Sequence, residues 1–233
     1  MTISSPHNPR LKHIRQLGNR RRERERTGQF VAEGEDLLAA ADAAGWEPVE
    51  RYVAEGSGLD GVEVDAELLA RASQLGSGTR ALAVYEARWQ RPVGPRCVYL
   101  HGVGDPGNVG TALRSALAFG AGSVALGPGC ADPYGPKAVR ASMGAIFGVP
   151  VARVAGVDAV PAPRVALAAR RGAPLAAAEL PPDVSVVVGA EREGLPEAVV
   201  VACEHVAHIP IAGDSLNAAM AATVALYELH RMA

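Results

Sequence analysis

The sequence predicts an α/β protein in two parts: a C-terminal domain with a mainly parallel sheet covered on both faces, and a small α/β domain before it. Three observations predict this. Short apolar runs alternate with helical stretches along the chain, the pattern of units that builds parallel sheets. Residues 89–96, Trp-Gln-Arg-Pro-Val-Gly-Pro-Arg, carry two prolines, a glycine and no periodicity; such a stretch reads as a linker and divides the chain into 1–88 and 97–233. The 233 residues are 48% hydrophobic but only 4% aromatic, so the cores are built mainly from Ala, Val and Leu.

In the small domain, Asn8 and Pro9 read as N-cap and first helical residue. Leu11, Ile14 and Leu17 then recur every three residues between Lys12, His13, Arg15 and Gln16, an amphipathic helix with a cationic face, ended by Gly18. An Arg-rich stretch at 20–26 follows. Residues 29–33, 48–54 and 80–86 read as strands, and 35–44 and 66–74 as helices, enough for one modest core.

In the larger domain, 97–100 is an apolar strand of the buried type, followed by a loop at 101–110 and a helix at 109–119. Strands are expected at 123–126, 149–154, 164–169, 184–188 and 208–211, and helices at 138–147 and 217–231. Pro161 and Pro163 leave room for only a short helix at 159–163. The last helix is apolar nearly all round and rich in Ala. That is unusual for a surface helix and suits a packed interface.

The net charge of −2 hides an asymmetry: residues 1–30 hold eight Arg or Lys against Glu23 and Glu25. A basic arm on an acidic body points to an anionic partner, with a plain solvated helix as the alternative. Cys97, Cys130 and Cys203 are odd in number and widely spread. They make neither a disulfide framework nor a zinc site, and they fit a reducing cytoplasm; no metal is expected. The N-terminus shows no apolar signal region, and no apolar run is long enough to span a membrane.

One motif misleads. Gly102-Val103-Gly104-Asp105-Pro106-Gly107 matches G-x-G-x-x-G after a strand, the fingerprint of an NAD-dependent oxidoreductase. Pro106, however, has no N–H to offer a pyrophosphate. The glycines stand too far ahead of the expected helix, and Gly127-Pro128-Gly129 replaces the acidic residue that would hold a ribose.

Four segments in order carry a resemblance. They are Asp105-Pro106-Gly107-Asn108-Val109-Gly110-Thr111-Ala112-Leu113-Arg114, then Val139-Arg140-Ala141-Ser142-Met143-Gly144-Ala145. Val187-Val188-Gly189-Ala190-Glu191-Arg192-Glu193-Gly194-Leu195 and His208-Ile209-Pro210-Ile211-Ala212-Gly213-Asp214-Ser215-Leu216-Asn217 complete the set. Together they resemble the motifs of the SpoU (TrmH) family within the SPOUT methyltransferases. The opening at 5–15 and Phe30-Val31-Ala32-Glu33-Gly34-Glu35 resemble the small RNA-binding domain, of a ribosomal-protein type, that often precedes that catalytic domain.

The resemblance implies transfer of a methyl group from S-adenosylmethionine to a ribose 2′-hydroxyl of structured RNA, ribosomal rather than transfer RNA. It also implies a deep trefoil knot in the C-terminal domain and a homodimer with the active site near the subunit boundary. Gly189, Ile209, Ile211, Leu216 and Ala218 would line the cofactor site, where small or apolar residues leave backbone groups free for an adenosine. Arg114 would act at the ribose hydroxyl, as proton acceptor or by fixing the adjacent phosphate; an arginine stays charged, which favours the second role. Asn108, in the loop before the helix, would hold that loop or touch the substrate. Glu191 would arrange the site, for instance by pairing with Arg114. Ser215 and Asn217 flank Leu216 at the start of the last helix, with Ser215 the candidate N-cap. Arg10, Lys12, Arg15, Arg20, Arg21, Arg22 and Arg140 are the candidate RNA contacts. A catalytically silent RNA-binding relative is the alternative, against which intact Asn108, Arg114, Glu191, Ser215 and Asn217 argue. The sequence departs from the family in a short loop between Gly213 and Ser215 and in Ala218-Ala219-Met220-Ala221 after Asn217.

Overall fold

A computed structural model describes residues 2–75 and 78–232. Helix α1 (Pro9–Asn19) starts as expected: the Asn8 side chain accepts from the Arg10 amide at 2.9 Å, and Pro9 opens the first turn. It does not end at Gly18. That glycine lies inside the helix, where a Cβ would come within 3.0 Å of the Gln74 side chain. It serves close packing rather than termination. The Arg-rich stretch forms α2 (Arg21–Thr27), which buries no residue and ends on Gly28 in the left-handed conformation.

Strands β1 (Gln29–Glu33), β2 (Glu50–Ala54), β3 (Val62–Val64) and β4 (Ala81–Glu86) form a sheet ordered β1-β4-β2-β3. Helix α3 (Glu35–Ala43) lies against one face and α4 (Ala66–Ala72), with α1, against the other. Side chains alternate across the sheet. Val31, Leu82 and Val84 meet Leu11, Ile14, Leu17 and Leu69. Phe30, Ala83 and Tyr85 face the opposite way, into the same core as Tyr134, Ile146 and Phe147 of the larger unit. The two units therefore share one core.

The second sheet contains β5 (Val98–Leu100), β6 (Val124–Leu126), β7 (Val151–Arg153), β8 (Arg164–Leu167), β9 (Ala173–Pro174), β10 (Ser185–Val188) and β11 (His205–His208). Its order is β7-β6-β5-β10-β8-β11-β9, with every pairing parallel. Both faces are covered, as a parallel sheet requires. Helices α5 (Pro106–Ala118), α6 (Pro136–Ala141) and α7 (Ala145–Gly148) contribute to the core on one face; α8 (Glu197–Val201) packs on the other; α9 (Ala218–Met232) joins α5 on the first.

Several boundaries differ from expectation for local reasons. Helix α5 begins at Pro106 because the Asp105 side chain caps it, accepting from the amides of Gly107 at 2.7 Å and Asn108 at 3.1 Å. Gly107, Asn108 and Gly110 are thus helical, and the spacing argument against a nucleotide fingerprint does not hold; the missing N–H of Pro106 and the absent acidic residue still do. Gly110 lets α5 and α6 touch: a Cβ there would lie 2.3 Å from the Ala138 carbonyl oxygen. The expected helix at 138–147 is two pieces, broken where Met143 and Gly144 take positive φ. Strand β11 runs earlier than predicted, pairing His205 with Val165, so Ile209 and Ile211 follow it. The linker is not loose, since Gln90 donates to the Val151 carbonyl at 2.8 Å and Ser123 Oγ bridges Val93 on both sides of its peptide. Among the described residues, no helix is long and apolar enough to cross a membrane.

An ion pair ties the starts of two central strands. Glu204, just before β11, accepts from the Arg164 guanidinium and from the Arg164 amide, both at 2.8 Å. Arg164 holds the Glu204 carboxyl down from the ordinary 4.5 to about 2. A carboxyl lowered on folding adds stability that is fully present above its unfolded value and is lost as pH falls through its folded one. Stability from this pair should therefore fade between pH 4.5 and about 2. Denaturant titrations should show Glu204→Gln losing less stability than the wild type across that interval; equal losses would remove the pair from acid unfolding.

Candidate functional site

A cleft of about 610 Å³, open to solvent, lies at the carboxyl ends of β8, β10 and β11. Open parallel sheets place ligands at this edge. Leu167, Val188, Ile209, Leu216, Ala218 and Ala221 give it apolar walls, with Ile211 and Ser215 at its exposed rim. Gly189 begins the loop after β10 and is buried. A Cβ there would meet the Gly194 carbonyl group at 2.3 Å and the Leu195 amide at 2.5 Å. The loop closes on itself through the Gly194 amide to the Ala190 carbonyl at 2.9 Å. Only glycine permits this fold-back, so Gly189 shapes the wall by being absent from it.

At the mouth, three polar side chains from three elements meet. Asn108, in the first turn of α5, donates to Glu191 Oε1 at 2.6 Å. Asn217 donates to the same oxygen at 2.5 Å and lies 3.0 Å from Asn108 Oδ1. The other end of the Asn217 amide caps α9, accepting from the amides of Ala219 at 3.0 Å and Met220 at 3.2 Å. Asn217, and not Ser215, is the N-cap. Glu191 is held by the two asparagines, and among the described residues it has no arginine partner. Arg114 stands exposed on α5 with no ion pair among the described residues. Beside the cluster, Lys137 at 2.8 Å and the amides of α5 hold the Asp105 carboxyl below its ordinary range.

The other candidates fall elsewhere. Arg140 lines a separate groove with Glu33, Asp36 and Met143. In the basic arm, Arg10 pairs with Glu50, Arg21 with Glu25, Arg24 with Asp132 and Arg26 with Glu23. That leaves Lys12, Arg15, Arg20 and Arg22 without an ion pair among the described residues. Glu50 and Asp132, from outside the arm, thus bring its net excess of six positive charges down to four. Arg24 and Asp132 are 10% and 8% exposed, a nearly buried link between the two units. His101 bonds to the Tyr99 hydroxyl at 2.9 Å, a structural role. His208 lines the cleft. Leu167, Ala168 and Ala169 also line it and were not singled out from sequence; their position at a strand's carboxyl end was the available signal. Among the described residues no cluster of His, Cys, Asp and Glu could hold a metal ion.

A parallel sheet with an apolar, glycine-shaped cleft at its carboxyl edge is the arrangement of an α/β protein that binds a small molecule. Residues 95–227 match the SpoU rRNA methylase family and residues 8–88 match an MRM3-like substrate binding domain. The chain belongs to the SpoU rRNA methylase family. It is 28% identical to a 23S rRNA guanosine 2′-O-methyltransferase of Bacillus subtilis, over 97% of this chain and 98% of that protein. Its fold matches an S-adenosylmethionine-bound rRNA methyltransferase from Sinorhizobium meliloti, with a TM-score of 0.87, 28% identity and coverage of 100% and 98%. It likewise matches the SpoU methyltransferase AviRb of Streptomyces viridochromogenes in complex with the same cofactor, with a TM-score of 0.86, 27% identity and coverage of 97% and 98%.

The two assignments of the α9 cap separate cleanly by mutation. Asn217→Ala should lower stability by about 1 kcal/mol, read by urea denaturation, whereas Ser215→Ala should leave it near wild type. The reverse order would return the cap to Ser215.

Proposed function

We propose that this protein transfers a methyl group from S-adenosylmethionine to a ribose 2′-hydroxyl of structured RNA, ribosomal rather than transfer RNA. The observation that carries this is the meeting of the apolar cleft with the Asn108–Glu191–Asn217 cluster at one edge of the sheet. The full-length likeness to a ribose methyltransferase and to cofactor-bound relatives supports it. Residues 1–88 would hold the RNA, 89–96 join the units, and 97–233 carry the chemistry, in the cytoplasm.

The cleft suits the cofactor in character: sites for such molecules are mostly apolar, with a few polar groups that fix orientation. Gly189, Ile209, Leu216 and Ala218 would hold the adenosine portion, with Ile211 at the rim. When bound, the cofactor supplies an electrophilic methyl carbon. The chain's own work is positioning, which supplies much of the rate when a nucleophile must meet its target in line. Glu191 gives one carboxylate oxygen to two amides, which ties the cluster together. Asn108 keeps a second N–H for a substrate oxygen. Arg114, charged and exposed, would take the phosphate beside the target ribose and orient the hydroxyl.

The loop from Gly189 to Leu195 packs backbone against backbone, and β10 inserts between β5 and β8. Both features support the trefoil-knotted path of the family. Exposed Met220, Val224 and Tyr227 recur at helical spacing and form an apolar face on α9. We assign this face to a homodimer, with Met220 bringing the boundary close to Asn217; sedimentation should show a dimer at micromolar concentration, and a monomer would reject it.

Labelled S-adenosylmethionine should transfer its methyl group to bulk ribosomal RNA, and calorimetry should show binding of that cofactor and none of NAD. Arg114→Ala should nearly abolish turnover while leaving cofactor affinity within a few-fold. Turnover at the wild-type rate would remove Arg114 from the chemistry.

A further inference from the structure

The misleading glycine motif has a structural explanation that leads to a second surface. Gly102 and Gly129 both take positive φ and pack backbone to backbone, with a Cβ on Gly129 falling 3.1 Å from the Gly102 Cα. The Gly102 amide donates to the Pro128 carbonyl at 2.9 Å, and the Ala131 amide to the Val103 carbonyl at 2.9 Å. The loop after β6 is thereby zipped to the loop that leads into Asp105 and Asn108. Its far side lines a groove of about 500 Å³, open to solvent, walled by Arg21 from α2 and Arg153 from β7.

Two features of this groove do not belong to the cofactor cleft. The Arg153 guanidinium, in the groove wall, lies over the ring of Trp89 just beside the groove, 4.4 Å from its centre; Trp89 also packs against Tyr134 and remains 40% exposed. Arg21 and Arg153 share one oxygen of Glu25, at 3.0 and 3.4 Å. Arg91 is exposed on the adjoining segment. An open indole carrying a guanidinium, with further arginines around it, is the chemistry that stacks an unpaired base and meets its phosphate. Aromatic rings and arginine planes accept any base on their faces.

We infer that this groove is a subsite for one unpaired nucleotide of the RNA substrate, flanking the methylated position. The base stacks on the Trp89–Arg153 pair, and the phosphate takes the place of Glu25 beside Arg21. The zipped loops put the subsite one loop away from Asn108. This inference rests on the RNA-methyltransferase reading above. It adds a contact within the larger unit, at its junction with α2, to those expected of residues 1–88.

The chain has two tryptophans, Trp46 and Trp89, and Trp46 is buried. Titrating the full-length protein with a short oligouridylate should quench indole emission saturably, and Trp89→Phe should remove most of that change. Arg153→Gln should weaken binding about tenfold, and Glu25→Gln should tighten it several-fold by freeing both arginines. In methyl transfer to ribosomal RNA, Trp89→Ala should raise KM for RNA about tenfold with little change in kcat or cofactor affinity. Trp89→Phe should recover part of that loss. Absence of quenching in the wild type, or an unchanged KM in Trp89→Ala and Arg153→Gln, would overturn the subsite. If oligouridylate quenches Trp89 but no RNA is methylated, the subsite stands as an RNA contact and the methyltransferase reading falls.

Discussion

One carboxylate organises the mouth of the cleft. Glu191 sits on the loop after β10, and the asparagines that bind it come from the first turn of α5 and the cap of α9. Three elements distant in sequence are registered to one oxygen. Hydrogen bonds to a charged acceptor are roughly twice as strong as neutral ones, and each amide here does a second job. Asn217 caps a helix, while Asn108 stays in place because Asp105 caps the turn that carries it. The junction ties the loop after β10 to the first turns of α5 and α9 at the mouth of the cleft.

A second constraint is backbone proximity. Gly110 against Ala138, Gly189 against Gly194 and Gly102 against Gly129 each bring main chain to main chain with no room for a side chain or with a reversed φ. Glycines in the motifs are thus spent on packing the protein against itself, and not on wrapping a pyrophosphate. That is why a pattern with the letters of a dinucleotide fingerprint belongs to a different class of enzyme.

Much of this was legible in the sequence, for physical reasons. The apolar runs at 97–100, 123–126 and 184–188 announce strands because buried parallel strands must be apolar on both faces. Asn8-Pro9 announces a helix start because its capping chemistry is local. Cleft-lining positions such as Gly189 and Leu216 came from motif likeness. What escaped is non-local. The start of α5 at Pro106 is the exception, since its Asp105 cap is as local as Asn8 and bonds amides two and three residues on. Glu191 was expected beside an arginine, and nothing in the pattern distinguishes that partner from two asparagines on other elements. The basic arm looked stronger than it is because Glu50 and Asp132, which neutralise Arg10 and Arg24, lie far away in the chain. Strands as short as β3 and β9 carry too few residues to show a period.

The aromatic core shared by the two units has a further meaning. Phe30, Trp46 and Tyr85 from the small unit interlock with Tyr134 and Phe147 from the large one, and Trp46 donates to the Phe147 carbonyl at 2.9 Å. Arg24 and Asp132 form a second, nearly buried tie. Two units joined this way do not swing on a tether. The separation between the small unit's surface and the cleft is built into the protein, as in a caliper with its jaws set. Under the function proposed above, selectivity would follow from distance: the RNA accepted is one whose folded shape spans that one separation.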